Sequence, residues 1–187
     1  MKYIVIIVSS FFLLHVLSVV SFAQTITLSA TDSADVASPP ASIQYDFPYP
    51  GILPDHPLYF VKVARDHIVG FLINDPIKKT EFNLLQSDKR IFAAQLLFEK
   101  DADQLGVDTL SKSNNYMHSA ISDAKRAQEA KLPTEGVVGK IEVSIAKHEE
   151  AIEQLLTSDI TVTDSLEGEL ERLQSIEEYY KKSFPKK

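Results

Sequence analysis

The chain opens with residues that are apolar on every side. Tyr3 to Val20 is interrupted only by Ser9, Ser10, His15 and Ser18. Such a stretch has no polar face, so it does not read as an ordinary core helix. Between Gln24 and Gln44 helical periodicity is absent, and Thr, Ser, Ala and Asp dominate. Beyond Asp55 the apolar positions recur at helical spacing to the end. A first helix starts near Pro57-Leu58 with Asp55 as its cap. Leu58, Val61, Ile68 and Leu72 form its stripe, widened by Phe60, Ala64 and Phe71; Lys62, Arg65 and Asp66 fall toward solvent or the stripe's edge. Asn74-Asp75-Pro76 breaks the pattern, with Asp75 fitting an N-cap and Pro76 the first helical position.

The second helix is expected to reach about Leu105 and stop at Gly106. At ~1.5 Å per residue it would be roughly 43 Å long. Ile77, Leu84, Ile91 and Phe98 mark its face. A third helix, from Asp108 or Ser111 to near Leu132, has a thinner face of Leu110, Met117, Ile121, Ala124 and Ala127 and is expected at the periphery. Pro133 to Gly136 separates it from a fourth, which carries Val138, Ile141, Ile145, Ile152 and Leu156. After a loop over Asp159 to Thr163, Asp164 and Glu167 have capping-box spacing. Leu166, Leu170, Leu173 and Tyr180 mark a fifth helix, whose early acids and late Lys181-Lys182 suit its dipole. No stretch after Asp55 alternates in the manner of a strand. The pattern predicts an all-α antiparallel bundle of about five helices.

The N-terminal segment has the form of an export signal. Lys2 is the only charge before Asp32, and Ser21-Phe22-Ala23 places small residues at the -3 and -1 positions of a cleavage site. Residues 1–23 therefore read as a signal peptide. The competing reading is an uncleaved anchor, since the apolar run just reaches spanning length and Lys2 would stay inside. Either reading puts the domain outside the cytoplasmic membrane, periplasmic or extracellular. Residues 24–44 read as a flexible linker, and 45–187 as the helical domain.

At the start of that domain stands a collar. Six of the nine prolines fall between residues 39 and 57, interleaved with Tyr45, Phe47, Tyr49, Ile52 and Leu53. Proline pre-orders the chain in extended form. The rings are expected to pack on the helices and close one end of the core; the alternative is an exposed aromatic platform for a sugar or peptide.

Composition narrows the function. The formal charge is -7, from 19 basic and 26 acidic residues, which argues against a uniformly basic nucleic-acid binder. Cysteine is absent, which removes disulfides, thiolate catalysis, Cys-ligated metals and a lipidated cysteine.

Pro54-Asp55-His56-Pro57-Leu58-Tyr59 with Lys62, followed by Ser87-Asp88-Lys89-Arg90, resembles a bacterial family, domain of unknown function family 5667. The later run looks like the family's Ala-Asp-x-Arg signature, with Ser in place of Ala. The resemblance is strongest over residues 45–105. It implies an exported helical module and supplies no reaction.

The residues themselves offer little chemistry. His56, His67, His118 and His148 lack metal-binding spacing, and no Glu-x-x-His pair occurs. They read as surface, cap or edge histidines. Asp88 and Arg90 read as part of an ion-pair or hydrogen-bond network, with Arg90 reaching Asp66, Asp55 or a collar carbonyl. No nucleophile elbow, Walker loop or dinucleotide fingerprint is present. The terminal lysine cluster, Lys181 to Lys187, reads as a solvated helix end, the alternative being contact with an anionic wall or lipid surface. No cofactor is implied. The expectation is a non-enzymatic interaction or scaffold domain of the bacterial envelope. Its partner would be an envelope protein or glycan, with membrane contact only through an uncleaved N-terminus. The alternatives are a cell-wall glycan-binding module using Tyr45, Phe47 and Tyr49, and a metal-dependent or hydrolytic protein.

Overall fold

The computed structural model of the chain describes residues 45–185. The expected signal or anchor, the linker and the final Lys186-Lys187 lie outside the described residues. Five helices follow the collar: α1 (Tyr59–Leu72), α2 (Pro76–Phe98), α3 (Asp103–Glu129), α4 (Glu135–Leu156) and α5 (Thr163–Ser183). No strand forms among the described residues. Helices α2 to α5 make an up-down-up-down bundle. Ser87 meets Ser113 and Asn83 meets Asp123 across antiparallel α2 and α3. Gln174 meets Glu149, and Tyr180 meets Val138, across antiparallel α4 and α5. Helix α1 and the collar lie on the outside of this bundle.

Helix boundaries follow local chemistry, with corrections. Asp75 caps α2 by accepting from the Lys78 amide at 2.9 Å, and Pro76 occupies its first turn. This helix ends at Phe98 rather than near Leu105, so it is about 34 Å long at ~1.5 Å per residue. Asp101 adopts φ 58, and the amide of Ala102 turns back to the Leu97 carbonyl at 3.0 Å. That left-handed reversal ends the helix without glycine. Lys131, with φ 60, ends α3 in the same way. Gly106 is not a stop. It lies inside α3, where the Phe98 ring fills the space of an absent side chain; a Cβ there would approach Phe98 to 2.8 Å.

Two capping expectations are also corrected. Asp55 does not cap α1, whose N-cap residue is Leu58; it pairs instead with Lys100 at 2.8 Å, and this ammonium holds its carboxyl below the usual range. His56 Nδ1 accepts from the Leu58 amide at 3.1 Å. The Asp164–Glu167 capping box does not form. Val162 stands at the N-cap of α5 without a side-chain bond, while Thr161 binds Asp103.

The core reverses two expectations about burial. Helix α3 is central, because Leu110, Met117, Ile121, Ala124 and Ala127 are fully buried against its neighbours. Its face looked thin because Ser113, Asn114 and Thr109 are buried with the apolar residues. Thr109 donates to the Leu105 carbonyl of its own helix at 2.7 Å, and cross-helix bonds engage the other two. Ser87 and Ser113 each donate to the other's carbonyl at 2.8 Å, and Asn114 donates to Glu169 at 2.7 Å. Conversely α1, expected to bury its apolar stripe, fully buries only Asp66 and Gly70. Asp66, expected at the solvent edge, faces inward beside Arg65, which donates to it at 2.7 Å.

Candidate functional site

Two arrangements concentrate the chemistry of the described residues: a buried carboxylate that fastens the collar, and an apolar surface on the outward side of α1.

The first is built on Asp88 of α2, which is 4% exposed. Its Oδ2 accepts from the Tyr45 hydroxyl at 2.5 Å. Its Oδ1 accepts from Ser144 at 2.6 Å and lies 3.0 Å from His148 Nε2. The contact with an acid oxygen places the imidazole proton on Nε2. Phe47 lays its ring edge-on to His148 at 5.3 Å and to Tyr45 at 5.9 Å. Burial, reinforced by the neighbouring carboxylate, pushes the Tyr45 phenol far above its ordinary range. The collar is thus clipped onto α2 and α4 by one hydroxyl and one ring. Ser144 and His148 both address the same carboxylate oxygen. Neither is arranged as a nucleophile activated by the other, as an acyl-transfer site requires.

His148 was expected at a surface, cap or edge, yet it is wholly buried. A signal for this exists in the sequence: Ile141, Ile145, His148 and Ile152 share the buried stripe of α4. Ser144 was not anticipated at all. The other three histidines among the described residues are exposed: His56 in the turn before α1, His67 on α1, and His118 stacked at 5.1 Å on Tyr179.

Arg90 makes none of the three contacts expected of it. It donates to the Gln86 side chain at 2.6 Å and stacks over the Tyr116 ring at 4.1 Å. A planar cation between α2 and α3 gains more from an aromatic face than a distant carbonyl offers. The collar carbonyls are instead held by Lys62, which donates to Pro50 at 2.8 Å and Ile52 at 3.4 Å. Burial, followed by the charge of Arg90, holds the Lys62 ammonium below its usual pKa. Burial raises the Tyr59 phenol. Pro57 is exposed in the turn before α1.

This sequence of contacts carries the Pro-Asp-His-Pro-Leu-Tyr run, Lys62 and the Ser-Asp-Lys-Arg run into one structural unit. The chain belongs to the DUF5667 family. The family model, described as a domain of unknown function, matches residues 51–179, well past the 45–105 stretch where the likeness is plainest in sequence. Comparison with curated proteins and with solved structures finds no match. Asp88, Ser144 and His148 lie within the matched residues of this DUF5667 chain, and Tyr45 and Phe47, which they hold, lie just before them.

The second arrangement faces outward. Phe71 is 84% exposed, Phe60 68%, Leu72 66% and Ile68 61%. At ~100° per residue, Phe60, Val61, Ala64, Ile68, Phe71 and Leu72 occupy one continuous face. Arg65 and His67 border it. Beside it runs a groove of about 440 Å³ whose lining includes Tyr49, Ile52, Leu58, Lys62, Arg65 and Lys89. Tyr49 is 72% exposed and meets Phe92 edge-on at 6.4 Å. Of the three rings of the glycan platform, only Tyr49 points outward; Tyr45 and Phe47 are engaged with Asp88 and His148. Among the described residues no three His, Asp or Glu side chains stand together as metal ligands. No helix among them is long and apolar enough to cross a membrane.

Proposed function

We propose that this DUF5667 chain is an exported binding domain of the bacterial envelope, acting by surface complementarity and not by catalysis. The observation that carries the reading is the outward apolar face of α1. Soluble proteins rarely leave a contiguous apolar patch without a use. Here six neighbouring positions on one helix face solvent while an aspartate faces in. The side chains best suited to chemistry, Asp88, Ser144, His148 and Tyr45, are spent on fastening the collar. The leader-like pattern of residues 1–23 supports the location.

Two experiments test this. The full chain, immobilised, is compared with a Phe60→Ser/Phe71→Ser variant in capturing material from solubilised envelopes. The reading expects components retained by the first and lost by the second; identical material on both would refute it. Residues 1–23 fused to a phosphatase that is active only outside the cytoplasm should yield activity. A silent but well-expressed fusion would refute the location.

A further inference from the structure

We infer that the outward face of α1 docks onto an anionic lipid bilayer, with the helix lying flat in the headgroup region. The inference rests on the reading as a binding domain and names the surface bound. Helix α1 has 14 residues, about 21 Å of axis at ~1.5 Å per residue. Phe60 stands in its first turn and Phe71 in its last, so both ends of the face carry a largely exposed ring. Between them lie Val61, Ala64, Ile68 and Leu72. An interfacial helix needs such a face to enter the boundary between headgroups and acyl chains.

Charge selects the occupant. The ionisable residues bordering the face are Arg65, exposed although it pairs with the inward Asp66, and His67; no carboxylate lies on the outward half of α1. The adjoining groove adds Lys62 and Lys89. Basic groups beside an apolar face match a negatively charged leaflet. The remainder of the chain has the opposite character. Residues 45–90 hold six basic and six acidic side chains, whereas 91–187 hold twelve and eighteen, a net of -6. An acidic body is repelled by an anionic surface, and Lys181 and Lys182 at the end of α5 are paired with Glu177 and Glu178, so the α1 side is the one that approaches. In a dimer made by apposing two α1 faces the same basic borders would lie close to one another, which disfavours a second copy as occupant. Along the chain, α1 begins within 40 residues of the apolar run ending at Val20, itself a membrane-directed segment by its sequence. The contact inferred here adds to any made by that segment.

The chain has no tryptophan, so one introduced indole reports its own surroundings. Full-length Phe71→Trp is mixed with vesicles of phosphatidylcholine alone or with phosphatidylglycerol, each also prepared with brominated acyl chains. Glu178→Trp, on α5, serves as the reference, because α5 does not pack on α1. The reporter on α1 should shift to the blue and be quenched several-fold more than the reference in anionic vesicles. Raised salt and Arg65→Gln should weaken both effects.

Equal quenching of the two reporters overturns the inference, as does equal quenching in neutral and anionic vesicles. A blue shift without lipid that grows with protein concentration assigns the face to a second copy, leaving the binding-domain reading intact. A lipid-free shift independent of concentration assigns it to another part of this chain and overturns the inference. If the indole stays exposed throughout, docking to lipid is excluded, and the capture experiment with the double serine variant then decides the broader reading alone.

Discussion

Replacing Asp88 by alanine tests the collar clip. Three donors converge on this carboxylate, from Tyr45 at 2.5 Å, Ser144 at 2.6 Å and His148 at 3.0 Å. Hydrogen bonds to charged groups contribute about 1.5–3 kcal/mol each, and a stranded buried donor costs about 1–3 kcal/mol. The three losses are unequal. His148, with no exposed surface, has no alternative partner of its own, so its full penalty applies. Ser144 can turn to a carbonyl one helical turn back, and Tyr45 can swing toward water if the collar lifts. Relief of the carboxylate's own desolvation offsets part of the total. The expected destabilisation is about 3–4 kcal/mol, a large share of the ~5–15 kcal/mol typical of a domain. Tyr45→Phe alone removes one bond and should cost about 1–2 kcal/mol. Because both changes break the same contact, the double variant should be less destabilised than the sum by about 1 kcal/mol or more. Urea unfolding followed by circular dichroism at 222 nm measures all four proteins. A cost below about 1 kcal/mol for Asp88→Ala, or strict additivity with Tyr45→Phe, would refute the clip.

Other consequences follow from the same contacts. The Tyr45 phenol is raised in the fold, so its stabilisation is complete below pH ~10, its unfolded value, and is lost as pH rises toward the folded value. In that window the native chain should lose about 1.4 kcal/mol per pH unit relative to Tyr45→Phe, measured by urea titrations at successive alkaline pH. Gly106→Ala forces a methyl group against the Phe98 ring and should destabilise by about 1–3 kcal/mol. Gly168→Ala, in α5 with open space around it, should instead raise stability by about 0.5–1 kcal/mol. Lys131→Gly relieves a left-handed lysine at the end of α3 and should be stabilising by about 0.5–1 kcal/mol, read, like the two glycine variants, from urea unfolding.

Much of this architecture is legible in the order of residues, and the failures have physical causes. Asp75-Pro76 marks a helix start because one side chain satisfies a free amide and the next residue needs none. Gly106 misleads because glycine serves equally as a terminator and as room for a neighbouring ring; the competing terminator, Asp101, is a residue type that only occasionally adopts positive φ. Helix α3 reads as peripheral because its serines and Asn114 look solvent-directed until partners on α2 and α5 are known. Helix α1 shows the opposite error. A stripe of Val, Ile, Leu and Phe states that a face is apolar, and nothing in that spacing states which surface covers it. The Asp88 network was half visible. Asp88 and Arg90 stand out by type, but Ser144 and His148 lie some 60 residues away in sequence, and only packing of α4 on α2 joins them.

The outward orientation of α1 is the claim on which binding, and docking to lipid, depend. The chain lacks cysteine, so single-cysteine variants measure it directly. Ile68→Cys and Phe71→Cys, in full-length protein without lipid, should react with a water-soluble thiol reagent at close to the rate of an unfolded chain. Ile91→Cys, on a core position with no exposure, should react about a hundredfold more slowly or less. Protection of the two α1 thiols to the level of the core thiol would contradict the account.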